Sequence, residues 1–201
     1  VRGGIHGNPA MNNSGQAIFR SILNDATLHY YDGASLTQLA VQGDSIPGGN
    51  GTFGDFSRPS INDAGQAAIL STVRPPGGGS SVNGIFFFDP DSGLADAVPR
   101  GSAAPDGNGT IDAFSVPFLN NSGQMAFAAT LADTQFGSGD NAGAFLVDGV
   151  DGTVIQIARE LDPAPDGDGV FDSFTGSRLG GTIALNDRGH AAFDAMLRGA
   201  S

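Results

Sequence analysis

The stretch Pro105–Phe127, PDGNGTIDAFSVPFLNNSGQMAF, holds two turn-rich blocks separated by short apolar runs, and both blocks recur along the chain. The second block, LNNSGQMAF from Leu119, aligns without gaps with MNNSGQAIF from Met11, INDAGQAAI from Ile61 and LNDRGHAAF from Leu185. The leading residues Asn12, Asn62, Asn120 and Asn186 stand 50, 58 and 66 apart. The first block recurs as PGGNGTFGDF from Pro47 and PDGDGVFDSF from Pro165. Between them sits a third block: HYYDG from His29, IFFFDP from Ile85 and AFLVDG from Ala144. The order is constant, so one segment is repeated in tandem, the mark of a repeat architecture.

Each repeat reads as a four-stranded antiparallel meander. In N-x-x-G-Q, Asn and Gly tolerate the left-handed region that a tight hairpin turn demands. The strand that follows alternates: Met125, Phe127, Ala129 and Leu131 share one face, and Gln124, Ala126, Ala128 and Thr130 the other. Small alanines on the second face predict close approach of a neighbouring sheet. The third strand carries the aromatic run ending in Asp, and a D-G or D-P-D-S-G turn leads to a fourth strand, such as Val154 to Ala158. The chain is thus one all-β repeat domain over residues 1–201, with repeats at about 1–46, 47–104, 105–164 and 165–201, the last incomplete.

Stacked four-stranded units of roughly 40 to 50 residues are the pattern of β-propeller blades, of which a propeller uses about 4 to 8. Three and a half repeats do not close such a ring. The expectation is a partial propeller, or part of a larger or oligomeric one, with an open β-repeat array or solenoid as the alternative. The start at Val1, without Met, points the same way, to a trimmed piece of a longer array.

Composition agrees. The 201 residues include 32 Gly, 11 Pro, no Cys and no Trp, and the charges are 20 Asp, one Glu, nine Arg and no Lys. Without Glu and Lys, surface helices lack their usual residues, whereas Asp and Gly favour turns. A net charge of -12 disfavours nucleic acid and anionic membranes, which need clustered cations. Absence of cysteine removes disulfides, zinc–thiolate sites and thiol nucleophiles. No apolar run approaches the roughly 20 residues that span a bilayer.

The blocks in Pro105–Phe127 resemble the bacterial "choice-of-anchor" tandem-repeat proteins, defined by an N-x-x-G-x-x-A-F signature preceded by P-D-G-x-G-x-F-x-x-F. The resemblance covers nearly the whole chain in register. Ile69 replaces the signature Phe in one copy, and His190 the usual Gln in another. It implies a secreted or cell-surface location, with signal and sorting tail outside this chain, and brings no established activity.

Chemistry is sought first in the acidic loops. Asp106, Asn108 and Asp112 copy the middle of an EF-hand loop, and Asp166, Asp168 and Asp172 do nearly the same. Alternating oxygen ligands around a Gly turn suit calcium, which takes six to eight oxygens. The full pattern is missing: Ala104 and Ala164 stand where an acid should precede, Ser115 and Thr175 where a bidentate Glu should close, and the first copy keeps only Asn50. These six residues are the candidate calcium ligands, against the alternative that they are turn residues between repeats.

The histidines read as structural. His6 and His29 fall in aromatic slots of the repeat, and His190 in the Gln16, Gln66 and Gln124 position. No G-x-S-x-G elbow anchors a nucleophile. Asp44, Asp162 or Arg100 would line a pocket at one end of the sheets, with solvated loop charge as the alternative. The run Pro76–Ser80 lacks the Lys of a phosphate loop and reads as a connector. Phe86, Phe127, Phe145 and Phe193 recur at strand positions and are expected in the core.

The expected function is a non-enzymatic extracellular or cell-surface scaffold, adhesion or ligand-binding protein, meeting a glycan or a protein through its loops. One alternative is an extracellular carbohydrate-active or other hydrolytic propeller using Asp residues in a central pocket. Another is a self-assembling surface-layer or filament subunit, held by edge-to-edge strand pairing.

Overall fold

The computed structural model describes residues 9–22, 24–149, 152–174 and 183–199. The first repeat forms β1 (Ala10–Met11), β2 (Ala17–Ile22), β3 (Ala26–Tyr31) and β4 (Leu36–Val41), paired in that order. The second forms β5 (Thr52–Phe56), β6 (Ser60–Ile61), β7 (Ala67–Arg74), β8 (Val82–Asp89) and β9 (Gly93–Val98). Here β5 and β6 both pair with β7, and β8 and β9 follow. The third repeats this plan with β10 (Thr110–Phe114), β11 (Phe118–Leu119), β12 (Gln124–Ala132), β13 (Ala142–Asp148) and β14 (Val154–Arg159). In the fourth, β15 (Val170–Phe174) pairs with β18 (Ala195–Arg198), and β16 (Ile183–Leu185) with β17 (Ala191–Phe193). The one helical element among the described residues is a 3-10 turn at Gly137–Gly139. The chain is all-β, built of antiparallel sheets.

The N-x-x-G turn explains why the repeats share a register. Gly15, Gly65, Gly123 and Gly189 all take φ between 76° and 80°. Each donates its N–H to the carbonyl of the Asn three residues before, and that Asn donates to the carbonyl four residues on. This is a three-residue hairpin loop closed by a left-handed Gly. Asn plays a different part from the one expected. Among the described residues only Asp133 and Leu161 are non-glycine residues with positive φ. Asn instead folds its side chain under the turn: Asn120 Oδ1 accepts from Ser122 and Gln124 N–H, and its Nδ2 donates to Gln124 Oε1. Such local bonding is why Asn favours turns over regular structure.

The chain divides into two compact units, Val1–Ala97 and Val98–Ser201. In the first, Ile18, Leu28, Tyr30 and Ala40 of one sheet share a core with Phe53, Phe56, Ile69, Phe86 and Phe88 of the next. The second uses the equivalent positions: Ala126, Ala142, Ala144, Leu146 and Ala158 meet Phe171, Phe174 and Ile183. The alanine face of β12 and β13 thus receives a neighbouring sheet, as the alternation predicts. Rings cluster inside each core, with Phe53–Phe86 centroids 4.9 Å apart and Phe174–Phe193 5.5 Å apart. Each buried aromatic contributes about 1.5–3 kcal/mol of transfer free energy. Phe86, Phe127 and Phe145 are fully buried and Phe193 packs partly buried, the core placement their recurrence implies.

Candidate functional site

The acidic loops lie just before the outermost strands, at turns with one shared geometry. Asp106 Oδ1 accepts from Asn108 N–H, and Asp166 Oδ1 from Asp168 N–H, so each leading Asp caps its own turn. The last Asp of each block sits where pairing slips, between Ile111 and Ala113 and between Phe171 and Ser173. A bulge of this kind turns an extra side chain outward. In these two copies that side chain meets an arginine: Arg100 pairs with Asp112, and Arg198 lies 3.3 Å from Asp172. The first copy has Gly54 at that place, and the next residue, Asp55, bonds Arg20 at 2.7–2.8 Å.

Of the six candidate calcium ligands, Asp112 is paired with Arg100 and Asp172 with Arg198. Among the described residues no three His, Cys, Asp or Glu side chains gather closely enough to hold a metal ion.

Around Asp106 and Asn108 the structure builds a different site. Arg159, only 2% exposed, points its guanidinium under the loop. Its Nη1 donates to Asp106 Oδ2 at 2.6 Å, and its Nε and Nη2 donate to the Asp140 carbonyl at 2.8 and 2.6 Å. Nη2 also lies 3.7 Å from the buried Asp140 carboxylate. Asn108 links two loops: its Nδ2 donates to Asp140 Oδ2 at 2.9 Å, and its Oδ1 accepts from Gln135 N–H at 2.8 Å. Phe136 N–H donates to Asp140 Oδ1, and Thr134 Oγ1 to the Gly137 carbonyl. The result is a tied platform made of Asp106–Gly109 and Asp133–Asn141, with the Phe136 ring 61% exposed on top.

One cation, Arg159, faces two carboxylates, Asp106 and Asp140, in this platform. Burial alone would raise the Asp140 pKa. Hydrogen bonds from Thr134, Asn108 and the Phe136 N–H, with the Arg159 charge, outweigh it and hold Asp140 below the usual carboxylate range. Glu160, beside Arg159 and 7% exposed, goes the other way. Burial pushes its pKa up, and the bonds from Ala142 and Asn141 N–H only partly oppose this.

Asp44 and Asp162 hold equivalent turns and spend their carboxylates locally, on Val41 N–H and on Arg159 N–H. Arg100 is paired with Asp112. His6 lies outside the described residues. His29 stacks on Phe19 with centroids 5.3 Å apart, directly across the strand pair, as Phe145 does on Phe127. Its Nε2 is 2.8 Å from Ser21 Oγ, but Nδ1 is buried with no hydrogen-bond partner, so no carboxylate orients the ring as catalysis would need. Burial lowers the His29 pKa. His190 is exposed at its turn and bonds through its backbone N–H to Asn186 Oδ1.

Motif matching finds Asp106 and Asn108 but passes over Arg159, Asp140 and Phe136. One signal was present: Asn120 stands 28 residues before Asp148, against 20 from Asn12 to Asp32 in the first repeat, and the loop carrying Phe136 takes up much of that excess. No helix among the described residues is long and apolar enough to cross a membrane.

With the fold and this platform in view, the chain can be placed. It belongs to the Family of unknown function (DUF7453), whose sequence model matches residues 3–201. A comparison with curated proteins gave no match.

Proposed function

We propose, with membership of that family as the premise, that the chain is a non-enzymatic extracellular or cell-surface binding module. Its sheets act as propeller-like blades that hold recognition loops rigid. The carrying observation is the Phe136 platform, where a 61% exposed ring stands on a loop fastened by a buried arginine. A rigid aromatic anchor on an ordered loop binds with little loss of conformational entropy. The exposed side chains beside it, Asp133, Gln135 and Ser138, include no cation, which disfavours anionic ligands. The ligand that fits is a neutral glycan, whose apolar ring face stacks on Phe136 while its hydroxyls meet Gln135 and Ser138. The extracellular setting rests on the resemblance of the repeats to choice-of-anchor proteins.

A glycan array, followed by titration of the best neutral hit, tests this. Phe136→Ala should weaken binding about two- to tenfold, given roughly 0.5–1.5 kcal/mol per aromatic contact, with unchanged melting temperature. Absence of any neutral glycan hit, or equal affinity of Phe136→Ala, would overturn it. Calcium enters the proposal at the Asp166–Asp172 copy, which carries three aspartates, Asp166, Asp168 and Asp172. A calcium-dependent rise in melting temperature that Asp166→Asn removes is the expected result there.

A further inference from the structure

The dipeptide Asn-Gly occurs at Asn50–Gly51, Asn83–Gly84 and Asn108–Gly109. Glycine leaves the amide nitrogen after Asn without a side chain to shield it, so the Asn side chain and that nitrogen can react with each other. Whether they do depends on how firmly the surrounding structure holds them apart.

Asn50 and Asn108 stand in the same backbone turn. Ile46 N–H donates to the Gly51 carbonyl at 3.1 Å, and Ala104 N–H to the Gly109 carbonyl at 3.0 Å. The N–H groups of Gly49 and Gly107 return to the Ile46 and Ala104 carbonyls at 3.0 and 2.9 Å. Both turns require the glycine, because a Cβ at Gly51 or Gly109 would stand 2.6 Å from the carbonyl oxygen of Arg74 or Ala132. The side chains differ. Asn108 is held at both ends, Nδ2 on Asp140 Oδ2 at 2.9 Å and Oδ1 on Gln135 N–H at 2.8 Å. Asp106 Oδ1 also braces the Asn108 N–H. The first copy has Gly48 in place of Asp106, and Asn50 is exposed. Among the described residues neither its side-chain amide nor the Gly51 N–H has a hydrogen-bond partner. Asn83 is restrained differently, inside β8 opposite Thr72 of β7. Turning its peptide plane toward its own side chain would break bonds of the ladder.

We infer that Asn50 is a self-modification site, where the chain converts its own asparagine to aspartate and isoaspartate while Asn83 and Asn108 are protected. The Gly51 nitrogen gives its proton to hydroxide and attacks Asn50 Cγ, forming a carbon–nitrogen bond. The bond from Cγ to the side-chain nitrogen breaks, ammonia leaves, and a cyclic succinimide remains. Water then opens the ring at either carbonyl, giving aspartate or isoaspartate. In sum water is consumed and ammonia released, with nothing oxidised or reduced. Aspartate suits the turn: the copy in the fourth repeat carries Asp168 here, with Ala164 N–H on the Gly169 carbonyl at 3.0 Å. Isoaspartate instead routes the main chain through Cβ, lengthening a turn that is anchored by the buried Ile46. The inference is independent of the binding reading at Phe136.

The intact chain, aged in mildly alkaline buffer and mapped by proteolysis and mass spectrometry, provides the test. The peptide holding Asn50 should gain the mass difference between amide and acid, divided between aspartate and isoaspartate. Asn108, with two hydrogen bonds to break first, should convert at least about tenfold more slowly, and Asn83 should lag likewise. In denaturing urea only local sequence remains, so the three should convert within about threefold of one another. An Asn50 that stays intact in the folded chain, or Asn83 or Asn108 keeping pace with it there, would sink the inference. So would a ranking that persists unchanged in urea, since the folded structure would then not be its cause.

Discussion

Asn120 donates its side-chain Nδ2 to the backbone carbonyl of Asn186 at 3.0 Å, joining the turns of two stacked sheets. Asn12 makes the same bond to Asn62 at 2.9 Å in the other compact unit. The neighbouring residues add side-chain bonds between the same turns, Asn13 Nδ2 to the Asp63 carboxylate and Asn121 Nδ2 to the Asp187 carboxylate. A turn residue thus also sets how one repeat stands on the next. Gly65 shows how close the fit is: a Cβ there would meet the Tyr30 hydroxyl at 2.6 Å, whereas one at Gly15 would meet nothing within 4 Å.

Replacing Asn120 by Asp keeps the oxygen that accepts from Ser122 and Gln124 N–H, but sets a carboxylate oxygen against the Asn186 carbonyl. Loss of a buried donor predicts destabilisation of about 1–3 kcal/mol. Asn186→Asp, exposed at its own turn, should stay within about 0.5 kcal/mol of the parent. Urea denaturation of both variants measures the contrast, and equal midpoints would refute it.

Arg159→Met removes the guanidinium between Asp106 and the buried Asp140 while keeping an apolar stem. Leaving a buried carboxylate without its partner costs about 3–5 kcal/mol. Denaturant midpoints should fall accordingly, and proteolysis should move to the Asp133–Asn141 loop before the rest of the chain. A variant of parental stability would mean that the guanidinium does not hold the platform.

Leu161 takes φ 73°, where the equivalent residues of the other connectors are Gly43 at 97° and Gly101 at 88°. All three donate their N–H to the first buried residue of the following strand, at 2.8 Å. The left-handed region costs a side-chain-bearing residue about 1–2 kcal/mol. Glycine relieves this but adds about 0.4–1 kcal/mol of unfolded-state entropy. Leu161→Gly should therefore raise stability by a few tenths to about 1 kcal/mol, read as a melting temperature increased by a few degrees.

Stability should vary with pH through two neighbours acting in opposite senses. Glu160 has a raised pKa, so the folded chain holds its proton more tightly. Its contribution is full below the unfolded value of about 4.3 and is lost as pH rises through the folded one. Asp140 has a lowered pKa, so its contribution is present above about 3.9 and is lost as pH falls through the folded value. Glu160→Gln should remove the decline on the alkaline side and leave the acid side unchanged. Melting temperatures across pH 3 to 8 would show it, and parallel curves for parent and variant would exclude Glu160 as the source.

Much of the fold was written locally. The N-x-x-G-Q blocks place the hairpins, the alternation in Gln124–Leu131 assigns its faces, and the Asp excess resolves into capped turns: Asp32, Asp89, Asp106 and Asp166 each accept from backbone N–H groups two or three residues on. Such features need only residues a few positions apart, whose geometry the chain itself fixes. The platform was hidden for the opposite reason. Asp106 and Asn108 carry a calcium-like pattern, yet what their oxygens face is set by Arg159, 53 residues from Asp106, and by Asp140, 32 from Asn108.

The sequence by itself determined the repeats, their strands and the turn chemistry, because those depend on short-range sterics and hydrogen bonding. Only the tertiary structure decided which face of each sheet is covered and which carboxylates an arginine neutralises. Those outcomes depend on which distant segments exclude water together, and burial rather than local pattern sets the cost of every charge and backbone group involved.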